Sequence, residues 1–499
     1  MIKQTSTESL LQPVRTCWRR AHADRFALIV DAADYFAQLK AAMTLARERV
    51  MLIGWDFDTR VRLDPEGEPD GWPDKLGSFI STLVQRRPDL QVHVLKWDLG
   101  VLKALGRGAT PLFILNWMTN KRVHLRLDSV HPAGACHHQK IAVIDDALAF
   151  CGGIDLTVGR WDTPEHRDDD LRRASPWGFA QPPWHDATAA VDGEAARSLA
   201  ELARERWESA TGERLPPLQE RHTIWPKTLQ ATFHDVNVGI ARTQPKRDGQ
   251  PAVREIEALT LAAISRAHRF IYVESQYLAS HRIAEALANR LGETSGPEVI
   301  VINPLSTEGW LEDEVMGSAR ARIIERLSGI NGGHHFRICY PVAAGGTPIY
   351  VHAKIMIVDD QFLKIGSANM NNRSMGLDTE CDLAVDPHDQ TEREALRVAI
   401  CSIRHRLLAE HLNVAKDEFA RVELEEDSLV RAIDRLRIAN GRTLVPLKPT
   451  LLNTAEEVIA AHGILDPDRP EPIVNQLAKF ASASQRALRR SFRGADVKA

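Results

Sequence analysis

No stretch of this 499-residue chain approaches 18 consecutive apolar residues, which excludes a transmembrane helix. Charge of either sign is not in excess: 63 basic residues stand against 67 acidic ones, a net charge of −4. No global basic field therefore argues for nucleic acid, and only a local basic cleft stays open. The six cysteines (Cys17, Cys136, Cys151, Cys339, Cys381, Cys401) are scattered and form no CxxC. That excludes a disulfide framework or a cysteine zinc site and leaves reduced, mostly buried thiols. Residues 1–24 carry Cys17-Trp18-Arg19-Arg20 but no apolar core of the Sec-signal type. The expected location is cytoplasmic or peripheral to a membrane, with export by a route that leaves no such signal still open. There is no low-complexity tract.

What is present is ordinary in bulk, 44% apolar and 26% charged, and long enough for two or three domains with substantial cores. Against that background one short pattern occurs twice. His138-Gln139-Lys140 is followed after four residues by Asp145, and His352-Ala353-Lys354 after four residues by Asp359. At this composition a chance match is expected on the order of a few hundredths of a time.

The repeat is wider than the pattern. The apolar runs Ile141–Ile144 and Ile355–Val358 each end in an Asp pair, which reads as strand and tight turn. A second strand follows in each copy, over 148–151 and 362–365, ending at Gly152-Gly153 and Gly366-Ser367. Upstream, helical spacing of Phe36, Leu39, Met43 and Ala46 leads into a strand at 50–53, and Ile256, Leu259 and Ala263 into a strand at 270–273. Further strands fit at 92–95 and 299–302. Helices and strands alternating twice over predict two similar α/β domains. The boundaries fall at 27–213 and 236–413, with a helically patterned extension over 414–499 that ends in a basic stretch around Arg486, Arg489, Arg490 and Arg493.

Residues two apart on a strand share a face, so His138 projects with Lys140 and His352 with Lys354. Asp145 and Asp359, at the strand–turn junctions, read as structural. Gly153, Ser367 and Asn369, at the small-residue corners, are candidate contacts for an anion. Two lysines, neutral donors and a helix start suit one phosphodiester without a metal. One neutral histidine attacks phosphorus; the other, protonated, serves the leaving alcohol and then activates water or an acceptor alcohol. An imidazole pKa near working pH suits both roles.

These residues resemble the phospholipase D superfamily, whose hallmark is two HxKxxxxD motifs. The resemblance covers most of residues 27–413 and extends to Gly152-Gly153-Ile154-Asp155-Leu156, Gly159-Arg160, Pro183-Trp184-His185-Asp186, Ile271–Tyr277, Gly366-Ser367-Ala368-Asn369, Asn372-Arg373-Ser374 and Asp378-Thr379-Glu380, which are similar to the lipid-acting branch. It implies two fused α/β sandwich domains about a pseudo-twofold, metal-independent chemistry with no cofactor, and a site at the interface. It assigns the nucleophile to His138, the acid/base role to His352, charge stabilisation to Lys140 and Lys354, and orientation of the histidines to Asp186 and Glu380. The first 25 residues leave no room for a calcium- or phosphoinositide-binding module.

The expected function is hydrolysis of glycerophospholipids at a membrane surface, or transfer to an alcohol, by a monomer that contains both halves. Cardiolipin synthase-type transfer, a nuclease and an inert lipid-binding protein stay open as alternatives. Trp184 and Tyr277 are candidates for a lipid entrance, although buried aromatics are more often core.

Overall fold

The computed structural model describes residues 8–65, 67, 70–98, 120–219, 222–247, 249–306, 310–448 and 466–467. The first half contains β1 (Arg19–Val30), α1 (Ala32–Leu45), β2 (Arg49–Gly54), α2 (Leu76–Arg86), β3 (Gln91–Trp97), β4 (Val123–Asp128), β5 (Ile141–Ile144), β6 (Leu148–Gly152), β7 (Trp184–His185), β8 (Ala187–Asp192) and α3 (Gly193–Thr211). The second contains β9 (Phe233–Gln244), β10 (Val253–Arg254), α4 (Glu255–Arg266), β11 (Phe270–Glu274), α5 (His281–Leu291), β12 (Glu298–Ile302), α6 (Trp310–Ser328), β13 (Phe336–Val342), β14 (Tyr350–Val351), β15 (Ile355–Val358), β16 (Phe362–Gly366), α7 (Asn372–Gly376), β17 (Glu380–Val385) and α8 (Arg393–Leu412). The chain continues as α9 (Lys416–Glu426), α10 (Leu429–Leu436) and β18 (Thr443–Pro446).

The duplication is visible in the sheet. Its order runs β4-β3-β2-β5-β6-β8-β1 through the first half and β9-β17-β16-β15-β11-β12-β13 through the second. Each strand of one half has its counterpart in mirrored position. The halves join edge to edge where β1 pairs antiparallel with β9, and β18 extends the far edge beside β13. The fold is therefore a mixed α/β architecture of two like halves. The expected boundaries cut into it: β1 begins at Arg19, eight residues before 27, and β9 at Phe233. The polar residues along Arg19–Arg25 hide these joining strands from an apolar-run reading. The segment after 413 is helical at first and then donates a sheet edge. Most of it beyond 448, including the basic stretch around Arg490, lies outside the described residues.

Three cores hold the layers together. Helices α1 and α2 cover one face of the first half through Phe36, Leu39, Met43, Phe79 and Leu83. Helices α4 and α5 do the same in the second through Ile256, Leu259, Ile283 and Leu287. Residues from both halves share the third, where Cys151, Val238, Ile240, Leu363 and Cys381 pack with α3 and α8. Among the described residues no helix is long and apolar enough to cross a membrane. Five cysteines are buried, Cys401 is partly exposed, and none is disulfide-bonded.

The aspartates that complete the two patterns stand in tight turns. Asp145 and Asp146 have φ of 49° and 52°, Asp359 and Asp360 53° and 52°. Ala147 N–H donates to Ile144 O at 3.0 Å and Gln361 N–H to Val358 O at 2.8 Å, closing type I′ turns that match the strand twist. Asp tolerates this left-handed backbone better than most residues. Each carboxylate then pins the start of a neighbouring strand. Asp145 accepts from the N–H groups of Arg47, Glu48 and Arg49 at 2.6, 2.9 and 2.6 Å. Asp359 accepts from His268, Arg269 and Phe270 at 2.6, 2.8 and 2.8 Å.

Asp359→Ala is expected to lower unfolding stability by roughly 2–3 kcal/mol, because three N–H donors, that of Phe270 buried, lose a charged acceptor. Asp359→Asn, which keeps one acceptor and the turn preference, should lose less. Urea unfolding checks this; an unchanged midpoint in Asp359→Ala would mean that the carboxylate does not anchor β11.

Candidate active site

His138 and His352 sit in extended segments just before β5 and β15 rather than within those strands. The backbone of each is tied to the other half. His138 N–H donates to Thr379 O at 3.0 Å, beside a parallel bridge between His137 and Thr379. His352 N–H donates to His185 O at 2.8 Å, where β14 pairs in parallel with β7. The residues that follow these anchor points, Glu380 and Asp186, reach back to the imidazoles. His138 Nδ1 lies 3.1 and 3.0 Å from the Glu380 carboxylate oxygens, and His352 Nδ1 lies 2.7 Å from Asp186 Oδ2. Each histidine thus takes its carboxylate from the opposite half, and both rings line one pocket of about 330 Å³.

Lys140 and Lys354 turn back on their own histidines. The Lys140 ammonium donates to His138 O at 2.8 Å, and that of Lys354 to His352 O. Asp155 lies 3.2 Å from Lys140, while the corresponding corner of the second half carries the neutral Asn369. The difference matters electrostatically. Burial first, then Lys140 and Lys354, push His138 well below its ordinary range, with Asp155 and Asp378 pulling the other way. Burial, Lys354, Arg160 and Lys140 push His352 down, and so does His138. Burial brings Lys354 itself down to about 7, against the attraction of Asp186. Burial also pushes the Glu380 carboxyl up to about 7, against hydrogen bonds from Ser367 and Ser374.

Two expected phosphate contacts are corrected. Gly153 is closed to the pocket: its N–H donates to Ala187 O at 2.9 Å, and a Cβ would come within 2.2 Å of Asp186 Oδ1. Its missing side chain makes room for the carboxylate of Asp186. Ser367 is fully buried, and its hydroxyl donates to Glu380 Oε2 at 2.5 Å, joined by Ser374 at Oε1 at 2.7 Å. Both corners therefore serve the carboxylates, the shorter Asp186 packing on glycine and the longer Glu380 held by serines. Of the three expected contacts only Asn369 lines the pocket.

Trp184 is core: it stacks on Tyr350 at 4.4 Å and stands 5.3 Å from the His352 ring. Tyr277 does line the pocket, with Trp55, Trp97, Gln276 and Met316. Sequence reasoning did not assign site roles to Asp155 and Arg160. The signal was there, since both belong to the runs quoted for the resemblance and Asp155 stands at the same offset from His138 as Asn369 from His352, but the residue type at that offset differs between the copies. Arg160 stacks over Trp184 at 3.8 Å and lines the pocket. Arg373, bound to Asp378 at 2.7 and 3.0 Å, also holds Gly134 O, while Asp378 accepts from Cys136 N–H. That pair docks the segment before His138 onto the second half.

The sequence profile of the family described as Phospholipase D matches residues 119–286 and 343–442, more than half of the chain. Phospholipase D1 of Schizosaccharomyces pombe is 24% identical over 85% of this chain, and Phospholipase D alpha 1 of Nicotiana tabacum 25% identical over 77%. The chain spans 38% and 64% of those relatives' lengths. Among solved structures, the phosphatidylserine synthase of Haemophilus influenzae superposes with a TM-score of 0.53 at 13% identity, covering 82% of this chain and 96% of that one.

Both imidazoles are expected to be neutral at pH 7, with the proton on Nδ1 facing its carboxylate. Long-range ¹⁵N NMR of histidine-labelled protein reads this directly, and Glu380→Ala should abolish the tautomer preference of His138 alone. Two imidazolium signatures at pH 7 would contradict the electrostatic account.

Proposed function

The chain belongs to the phospholipase D family, and from that premise we propose that it is a phosphodiesterase that hydrolyses glycerophospholipids through a phosphohistidine. The observation that carries the proposal is the crossed arrangement of His138 with Glu380 and His352 with Asp186 around one pocket. A carboxylate on Nδ1 holds each ring with Nε2 toward the pocket, as nucleophilic and acid–base catalysis require.

His138 Nε2 attacks phosphorus while the bond to the headgroup oxygen breaks, and His352 gives that oxygen its proton. His352 then takes a proton from water, whose oxygen attacks phosphorus and frees His138 and phosphatidic acid. An alcohol in place of water gives transfer by the same route. The division of labour agrees with the charges. A phosphorylated imidazole that keeps its Nδ1 proton is cationic, and His138 has Asp155 and Asp378 nearby to favour that charge. His352 is surrounded by cations, which makes its protonated form a stronger acid. A bound phosphodiester anion offsets Lys140, Lys354 and Arg160 and lets His352 take up its proton. The lysines and Asn369 then meet charge on the non-bridging oxygens. These roles need no metal at the reacting atoms, and one chain supplies both histidines.

A membrane surface as the place of reaction has its own support. Leu171, Trp177 and Phe179 are 88%, 65% and 70% exposed on one loop between Arg160 and Trp184. Arg60, Arg62, Lys75 and Arg172 line the hollow beneath Trp177. Aromatic side chains beside basic ones suit the headgroup region of a bilayer. The pocket is at the small end for ligand sites, so it takes phosphate and headgroup while the acyl chains stay outside.

Incubation with a panel of phospholipids, with and without glycerol or a primary alcohol, is expected to release headgroup, with products identified by mass. His138→Ala should lower turnover roughly a thousandfold or more. Undiminished turnover in that variant would sink the mechanism, and nicking of plasmid DNA without lipid products would favour the nuclease reading. In the double variant Trp177→Ala, Phe179→Ala, activity on anionic vesicles should fall several-fold, while activity on a short-chain lipid below its micelle concentration stays unchanged. An equal loss on both substrates would remove the loop from membrane contact.

A further inference from the structure

A second constellation lies behind the pocket. Asp31, directly after β1, His166 and His185 in the first half, and Glu410 on α8 each bring one ligand-type atom to within 4.8 Å of the others. His185 Nδ1 is 3.0 Å from Glu410 Oε1 and 3.4 Å from Asp31 Oδ1. His166 Nε2 is 3.3 Å from Glu410 Oε1 and 3.8 Å from Asp31 Oδ2. Ligand atoms of a tetrahedral zinc site, at bonds of about 2.0–2.2 Å, stand roughly 3.3–3.5 Å apart. The four contacts named, at 3.0–3.8 Å, lie around that spacing before any ion is placed in the cluster.

The outer contacts point the same way. His166 Nδ1 faces the Asp162 carboxylate at 2.9 Å, and His185 Nε2 faces Glu274 at 2.8 Å. A carboxylate only accepts, so each ring holds a proton on its outer nitrogen, and the inner nitrogen, facing Asp31 and Glu410, either carries a second proton or binds a metal. A carboxylate behind the imidazole is the usual second layer of a metal-bound histidine. Those outer carboxylates are themselves held, Asp162 by Arg173 at 2.7 Å and by Trp184 N–H at 2.8 Å, Glu274 by Tyr272 at 2.5 Å and by His411 at 3.1 Å. At the centre, His185 Nδ1 and Asp31 Oδ2 are fully buried without a hydrogen-bond partner. Among four carboxylates in this region, Arg173 and Arg442 offset two charges. A divalent cation between neutral imidazoles balances the rest.

We propose that Asp31, His166, His185 and Glu410 bind one zinc-class divalent cation, which clamps the first half to α8. Two imidazole nitrogens and two carboxylates suit zinc, whereas calcium and magnesium favour more oxygen ligands. None of the four residues lines the pocket, so the ion is structural. It bears on the reaction only through position. Asp31 N–H donates to Asp186 O at 2.8 Å and Asp31 Oδ1 accepts from Asp186 N–H at 3.3 Å, so fixing Asp31 fixes the carboxylate that orients His352.

The test is metal content of the full chain, expressed in zinc-supplemented medium and dialysed into metal-free buffer. Mass spectrometry should find close to one zinc per chain, falling to background in His166→Ala and in Glu410→Gln. Because these variants remove buried groups and can unfold, the wild-type chain supplies a second reading. Stripping by a strong chelator should lower its melting temperature by several degrees, and zinc should restore it. Cobalt refilling should give the visible absorption bands of a four-coordinate nitrogen–oxygen site. Absence of stoichiometric metal with no thermal response to zinc overturns the proposal and leaves two imidazoliums to balance the carboxylates. Full zinc retention in a folded His166→Ala, Glu410→Gln variant overturns it as well, placing the ion elsewhere.

Discussion

The two halves exchange the residues that orient their histidines, and this exchange constrains everything else near the pocket. His138 is hydrogen-bonded through its backbone to Thr379 and through its ring to Glu380; His352 is bound in the same two ways to His185 and Asp186. Neither half contains both a histidine and the carboxylate that holds it. The continuous sheet through β1 and β9 brings the halves into register, and the shared core behind Cys151 and Cys381 keeps them there. A shift of the halves by even 1 Å would loosen both imidazoles together, which matters because catalytic groups tolerate little misplacement.

The duplication is close in backbone and unequal in charge. The I′ turns, the strand-pinning aspartates and the lysines folded back onto their histidines are the same in both copies. At the pocket the copies diverge: Gly153 stands against Ser367, Asp186 against Glu380, Asp155 against Asn369. A symmetric pair of histidines would compete for one role. In the proposed mechanism unequal surroundings separate them, as environments that push like groups apart assign acid and base elsewhere. The sequence changes that break the symmetry lie one to three residues from backbone positions that preserve it.

Much of this was legible before the fold was known, and the limits have physical causes. The strands at 141–144 and 355–358 have the bounds read from their apolar runs, because both faces are buried and the Asp pair ends them. The long joining strands β1 and β9 were not read, since their polar residues gain cover only from the other half. The histidines and lysines were legible because repetition marks them. The purpose of Gly153 was not, because the atom it makes room for belongs to Asp186, 33 residues away in the chain. The cluster of Asp31, His166, His185 and Glu410 has no spacing at all to betray it. Its members meet only after the sheet, the loop following β6 and α8 have all been placed.

Seven carboxylates at or behind the interface are fully or almost fully buried: Asp31, Asp162, Asp186, Glu274, Glu380, Asp382 and Glu410. Burying a charge costs several kcal/mol unless it is paired, and removing one partner of a buried pair costs about 3–5 kcal/mol. Several pairings here cross between halves: Asp186 with His352, Glu380 with His138, Glu274 with His185, and Glu410 with His166 and His185. Separating the halves would strand a carboxylate or an imidazole at each of these contacts. The charges that orient the histidines thus make the union of the halves obligatory, and stability and site geometry rest on the same contacts. A substitution among these residues weakens both together; the exchange of Asp186 for Glu380 keeps a carboxylate on each imidazole, and the remaining asymmetry falls at Gly153/Ser367 and Asp155/Asn369.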